Sequence, residues 1–140
     1  MTDTPTDRTE YLPRELVLRL LAYAQQSPEA RVCGLVGADG RGPSALWSLD
    51  NIARDPIASA AVDPEQVHQQ HSALRAHGQT LWASFHSCPQ GIASSSDIEV
   101  QGFGDGLRLI AALDIRGVLQ LRCWRAYGGR LDECELKLPQ

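Results

Sequence analysis

Pro89 constrains this chain more than any other single residue. The run Leu81-Trp82-Ala83-Ser84-Phe85-His86 is largely apolar and rich in strand-favouring side chains, and Pro89 must end its ladder because proline has no N–H to donate. His86 is therefore expected at the end of a strand, projecting into a loop. That loop runs through Cys88, Ser94, Ser95 and Ser96 to Asp97. An imidazole, a thiol, several hydroxyls and a carboxylate so close together are what a borderline-soft divalent cation accepts, and zinc is the natural candidate.

The rest of the chain reads as a frame for this strand. Leu16, Val17, Leu20, Leu21 and Ala24 recur at helical spacing after Pro13, which predicts a first helix from Pro13 to about Gln26. Residues 31–37 and 44–49 read as strands of a hairpin around Asp39-Gly40-Arg41-Gly42-Pro43. Asp63 followed by Pro64 has the composition of a helix start, and Gly78 suits the left-handed stop after His77. A short helical turn is expected after Asp97. Leu107 to Leu113 and Val118 to Trp124 read as strands around the turn Asp114-Ile115-Arg116-Gly117, and Leu131 to Leu138 as a final edge strand. The order is mixed α/β, expected as one domain over residues 11–140 with residues 1–10 as a loosely held arm, since 140 residues suffice for one core.

Composition removes several classes of function. Basic residues are scattered and the net charge is −4, so no basic face for nucleic acid is expected. No apolar run is long enough to span a bilayer, and the polar start Thr2-Asp3-Thr4-Pro5-Thr6-Asp7-Arg8 lacks a signal-peptide core, so the expected location is the cytoplasm. Cys33, Cys88, Cys123 and Cys134 are far apart and are expected as free thiols there. His68 and His71 share a turn of the second helix without a visible third ligand, so packing explains them.

His86-Ser87-Cys88-Pro89, followed by Ser94 and Asp97, resembles the JAMM motif (His-x-His-Pro, a loop, Ser-x-x-Asp) of the Mov34/MPN/PAD-1 metallopeptidase family. Cys33-Gly34-Leu35-Val36-Gly37 is similar to the family's first core strand, and Asn51-Ile52-Ala53 with Asp55-Pro56 resembles its small bacterial members. The resemblance implies a mixed sheet flanked by helices, the JAB/MPN fold, related in architecture to the cytidine deaminases. It implies zinc on His86, Cys88 and Asp97, with Ser94 helping to hold an oxyanion. It also implies action on the C-terminal tail of a ubiquitin-like or sulfur-carrier protein, and it leaves a homodimer open.

Two positions depart from that pattern. The family's general base is a glutamate three residues before the first-strand glycine, and counted from Gly34 that position holds Arg31. A guanidinium cannot act as a base at neutral pH and repels a divalent cation. Glu29 is the candidate displaced base, roughly 6–7 Å further along an extended chain. Cys88 stands where the family has its second histidine, either as a thiolate ligand or as a small buried side chain. Register leaves an alternative as well, because ungapped spacing from His86 reaches Ser96 and Glu99 instead of Ser94 and Asp97. The reading is a JAMM-like domain with a degenerate site, weakly active or non-catalytic, binding zinc weakly or not at all and binding a protein partner. The alternative is an active zinc isopeptidase.

Overall fold

The computed structural model describes residues 9–138. Helix α1 (Arg14–Gln25) follows extended Pro13, and Leu16, Leu20 and Ala24, four residues apart, form its buried stripe. The hairpin strands β2 (Cys33–Asp39) and β3 (Gly42–Leu49) pair antiparallel. Gly34 permits their close approach, since a Cβ there would lie 2.9 Å from both Leu46 Cδ1 and the Trp47 carbonyl oxygen. Helix α2 (Pro64–Ala76) begins as expected, with Asp63 Oδ1 accepting from the Glu65 N–H at 3.0 Å, and ends at Gly78, which has φ 75°. Its buried anchor is Leu74, while His71 is only half-buried.

Strand β4 (Thr80–Cys88) carries the constraint set by Pro89. It runs two residues beyond His86, so His86 lies within the ladder, opposite Cys33 on β2 and Ile110 on β5 (Gly106–Leu113). The expectation that His86 leaves the strand is corrected accordingly. Pro89 stops the strand, but only after Ser87 and Cys88 have used their backbone groups. A 3₁₀ turn, Ser95–Asp97, then ends at Asp97 instead of following it. The remaining strands are β6 (Leu119–Tyr127) and β7 (Arg130–Lys137).

The seven strands lie in the order β1-β7-β6-β5-β4-β2-β3, where β1 is Thr9–Tyr11. The β4–β5 and β1–β7 pairs are parallel and the others antiparallel, making the sheet mixed. The final strand is not the edge, because β1 pairs with it from Thr9 opposite Glu135 to Tyr11 opposite Lys137. Of the expected N-terminal arm, Thr9 and Glu10 are thus in the sheet, and residues 1–8 lie outside the described residues.

Alternation along the strands divides the core in two. On one side, Val36, Ala83, Phe85, Leu109, Ala111 and Cys123 pack under α1. On the other, Cys33, Leu35 and Leu49 meet Leu74 of α2, and Cys88, Ile98, Ile110, Ala112 and Trp124 form a further cluster. His86 belongs to this second side, in β4 between the chain's most central neighbours.

Candidate functional site

The segment before β2 is pinned residue by residue. Ser87 donates its N–H to the Val32 carbonyl at 3.0 Å and accepts the Val32 N–H on Oγ at 2.9 Å, carrying the β4–β2 contact past the end of the ladder. Arg31 donates its backbone N–H to the Pro56 carbonyl at 2.8 Å, and its carbonyl accepts from Asn51 Nδ2 at 2.9 Å. Asn51 also reaches the Ser59 carbonyl with Nδ2 and takes the N–H groups of Ala53 and Ala61 on Oδ1. One amide side chain therefore holds the irregular segment against the stretch leading into β2, in which Arg31 sits, two residues before the strand and not on it as sequence suggested.

From this fixed backbone the Arg31 guanidinium reaches Asp97. Nη2 lies 2.8 Å from Asp97 Oδ1, with the two side chains only 5% and 16% exposed. The other carboxylate oxygen accepts the N–H groups of Ala93 and Ser94 at 2.9 and 3.1 Å. Burial alone would raise the Asp97 carboxyl; the Arg31 hydrogen bond and the two amides outweigh it and hold the group below its ordinary value. Asp97 is an anion here, with both oxygens engaged.

His86 is 1% exposed, and its Nε2 lies 2.8 Å from the Asp97 carbonyl oxygen. A carbonyl only accepts, so Nε2 carries the proton and the neutral ring leaves Nδ1 bare. Burial pushes its pKa down to about 4; the bond to the Asp97 carbonyl opposes that shift, and the charges of Arg31 and Arg108 add to it. The Cys88 thiol is buried, and Sγ lies 3.0 Å from the Gly91 carbonyl, where the S–H donates. Burial raises its pKa, favouring thiol over thiolate.

The structure thus brings Arg31, His86 and Asp97 together, with Ser94 tied to Asp97 in a reciprocal cap. The Ser94 hydroxyl is exposed and 2.8 Å from that of Ser96. Glu29 is exposed, and its carbonyl accepts from Gln90 Nε2. Glu99, the alternative carboxylate, is also exposed. Among the described residues no three His, Cys, Asp or Glu side chains converge as a metal group requires. The donor set does not suit zinc in this arrangement, because the Nε2 proton of His86 and both Asp97 oxygens are committed, and a guanidinium contacts the carboxylate.

Arg108 was not singled out from sequence. It is 4% exposed on β5, opposite Ser84 of β4 and Trp124 of β6, on the same side of the sheet as His86. Its signal was available in Leu107-Arg108-Leu109-Ile110, where strand alternation puts Arg108 with Ile110 and Ala112 on one face.

Comparisons with known proteins agree with this architecture. No protein-family model matches the chain. A desampylase from Haloferax volcanii is 27% identical over 105 residues, spanning 69% of this chain and 76% of the relative. A protein from Desulfitobacterium hafniense has a similar solved structure, with TM-score 0.74 and 22% identity over 95% of this chain and 94% of that one. A JAB1/MPN domain protein from Archaeoglobus fulgidus superposes with TM-score 0.55 and 16% identity, covering 94% of this chain and 97% of that one. In fold, the chain is JAB/MPN-like.

Proposed function

We propose that this JAMM-like domain binds the tail of a ubiquitin-like or sulfur-carrier protein and has little or no peptidase activity. The observation that carries this reading is the buried Arg31–Asp97 pair. Asp97 is the carboxylate that a metal would need, and its charge is already balanced by a residue standing at the position of the general base. General acid–base help is worth roughly 10²- to 10⁴-fold, and Arg31 cannot supply it. Cys88, as a buried thiol, adds no ionised ligand. The partner class rests on the similarity to a desampylase.

The same similarity favours the second reading, an active zinc isopeptidase using Glu29 as base and Ser94 at the oxyanion. Incubation with zinc and a ubiquitin-like protein extended past its C-terminal glycines separates the two, read by mass spectrometry of the shortened product. We expect association by calorimetry without multiple-turnover cleavage. Chelator-sensitive cleavage that is lost in Glu29→Gln establishes the second reading instead.

A further inference from the structure

The four cysteines are all buried and none is in a disulfide, yet the sheet places them differently. Cys33 lies opposite His86 and Leu49, and Cys88 opposite Ala112, so neither meets a second sulfur across its ladder. Cys123 of β6 and Cys134 of β7 lie directly opposite each other. The two-residue turn Gly128-Gly129, with φ 55° and 83°, fixes that register, which runs without a shift from Tyr127 opposite Arg130 to the cysteine pair.

Directly opposed residues of an antiparallel pair have Cα atoms about 4.5–5.5 Å apart, within the roughly 4.4–6.8 Å that a disulfide spans. Both side chains enter the apolar layer under α1 beside Leu109 and Leu121, Cys123 fully buried and Cys134 4% exposed. Their thiols are within hydrogen-bonding reach of each other, and Cys134 Sγ also lies 3.8 Å from the Asp132 carbonyl oxygen. Burial pushes the Cys123 thiol up, and Cys134, Glu10 and Glu133 add to that shift. Packing alone asks only for two small apolar groups, whereas covalent closure asks for two sulfurs in register.

We propose that Cys123 and Cys134 are a reversible oxidation site, closed by hydrogen peroxide into a cross-strand disulfide that staples β7 to β6. This site is independent of the function proposed above. Cys134, the sulfur with some exposure, reacts first: its thiolate attacks one peroxide oxygen, the O–O bond breaks, and a sulfenic acid and one water result. The Cys123 thiolate then attacks the Cys134 sulfur and displaces the hydroxyl, which leaves as a second water with the thiol's proton. Two thiols lose two electrons and the peroxide gains them. The anionic, buried surroundings disfavour the thiolate and slow both steps, while the opposed positions make the second intramolecular. The bridge closes a short loop and restricts the unfolded chain, and it secures the strand on which β1 rests.

The test exposes the full, folded chain to hydrogen peroxide at neutral pH, quenches with acid, and alkylates the remaining thiols after unfolding. Cleavage after Arg122, Arg125, Arg130 and Lys137 puts the two cysteines on separate tryptic peptides, 123–125 and 131–137. We expect these two linked, lighter than their sum by two hydrogens, with Cys33 and Cys88 still alkylated and the link reversed by dithiothreitol. The oxidised chain should melt about 5 °C or more above the reduced one. Cys134→Ala should lose both the link and the gain; should that variant fail to fold, the peptide map of the native chain decides alone. Four alkylated thiols after peroxide, a link to Cys33 or Cys88, links between molecules, or sulfinic acid at Cys134 without a link would each overturn the site. A link with no rise in melting temperature would overturn the staple.

Discussion

The two faces of β4 make opposite use of one strand. Ala83 and Phe85 project beneath α1 into an apolar layer that contains Leu16, Leu20 and Leu109. Ser84, His86 and Cys88 face a layer in which an ion pair, a neutral imidazole and a second guanidinium are buried among apolar groups. The first face gains from removing hydrocarbon from water, and any well-packed apolar set would serve. The second has to satisfy each polar atom individually and leaves three buried guanidinium nitrogens without an acceptor among the described residues. Stability is therefore distributed on one face and concentrated in a few contacts on the other.

Truncation is the strongest way to break this contrast. Phe85→Ala should destabilise the protein by roughly 3–5 kcal/mol through lost burial and a cavity, measured by urea denaturation. Arg31→Met should cost about 3 kcal/mol, because it strands the Asp97 carboxylate in a largely buried place. The faces then differ in how they are rescued. Arg31→Met combined with Asp97→Leu should be less destabilised than Arg31→Met alone, since no charge is left unpaired, whereas a double truncation under α1 should cost more than either single one. Failure of that rescue would show that the pair is not what holds the site together.

Acid gives a finer probe of the polar face. The His86 pKa falls from an unfolded value of 6.5 to about 4, so below pH 6.5 the unfolded chain takes up a proton that the folded protein refuses. Stability should fall as pH drops from about 6.5 to 4, by up to about 3 kcal/mol, and His86 should contribute no slope above that window. In His86→Gln, denaturation curves across this range should lose that component. The smallest effect is expected from zinc. Thermal melting of the native chain should be the same with zinc or with chelator, while the Arg31→Glu, Cys88→His double variant should melt higher with zinc present. Zinc stabilisation of the native chain equal to that of the variant would show that the Arg31–Asp97 pair yields to the metal.

Sequence and structure agree where the information is local. The stripe Leu16-Leu20-Ala24 and the pair Asp63-Pro64 locate the helices because periodicity and capping are properties of neighbouring residues. Pro89 correctly marks an end to β4, yet the strand reaches Cys88, since a residue before proline can still pair when its own groups point toward a neighbour. The contact between Arg31 and Asp97 spans 66 residues and depends on the register of β2 against β4 and on the fold of the intervening loop. Nothing near either residue announces it. The same is true of Asn51, whose five side-chain hydrogen bonds hold together segments that only the complete fold makes adjacent. His86 was legible as a focal residue, whereas its commitment to the Asp97 carbonyl was not.

The short strand β1 has a consequence for life at high concentration. A sheet edge is a template on which another molecule's chain can add, and the eight-residue β7 would offer a long one. Among the described residues, the three of β1 cover its C-terminal part. At the opposite margin, Pro43 withholds a donor from β3 and Gln70 Nε2 occupies the Ser48 carbonyl at 2.7 Å. Both margins thus discourage edge-to-edge polymerisation, and clipping the chain after Tyr11 would expose β7 as a seed for aggregates.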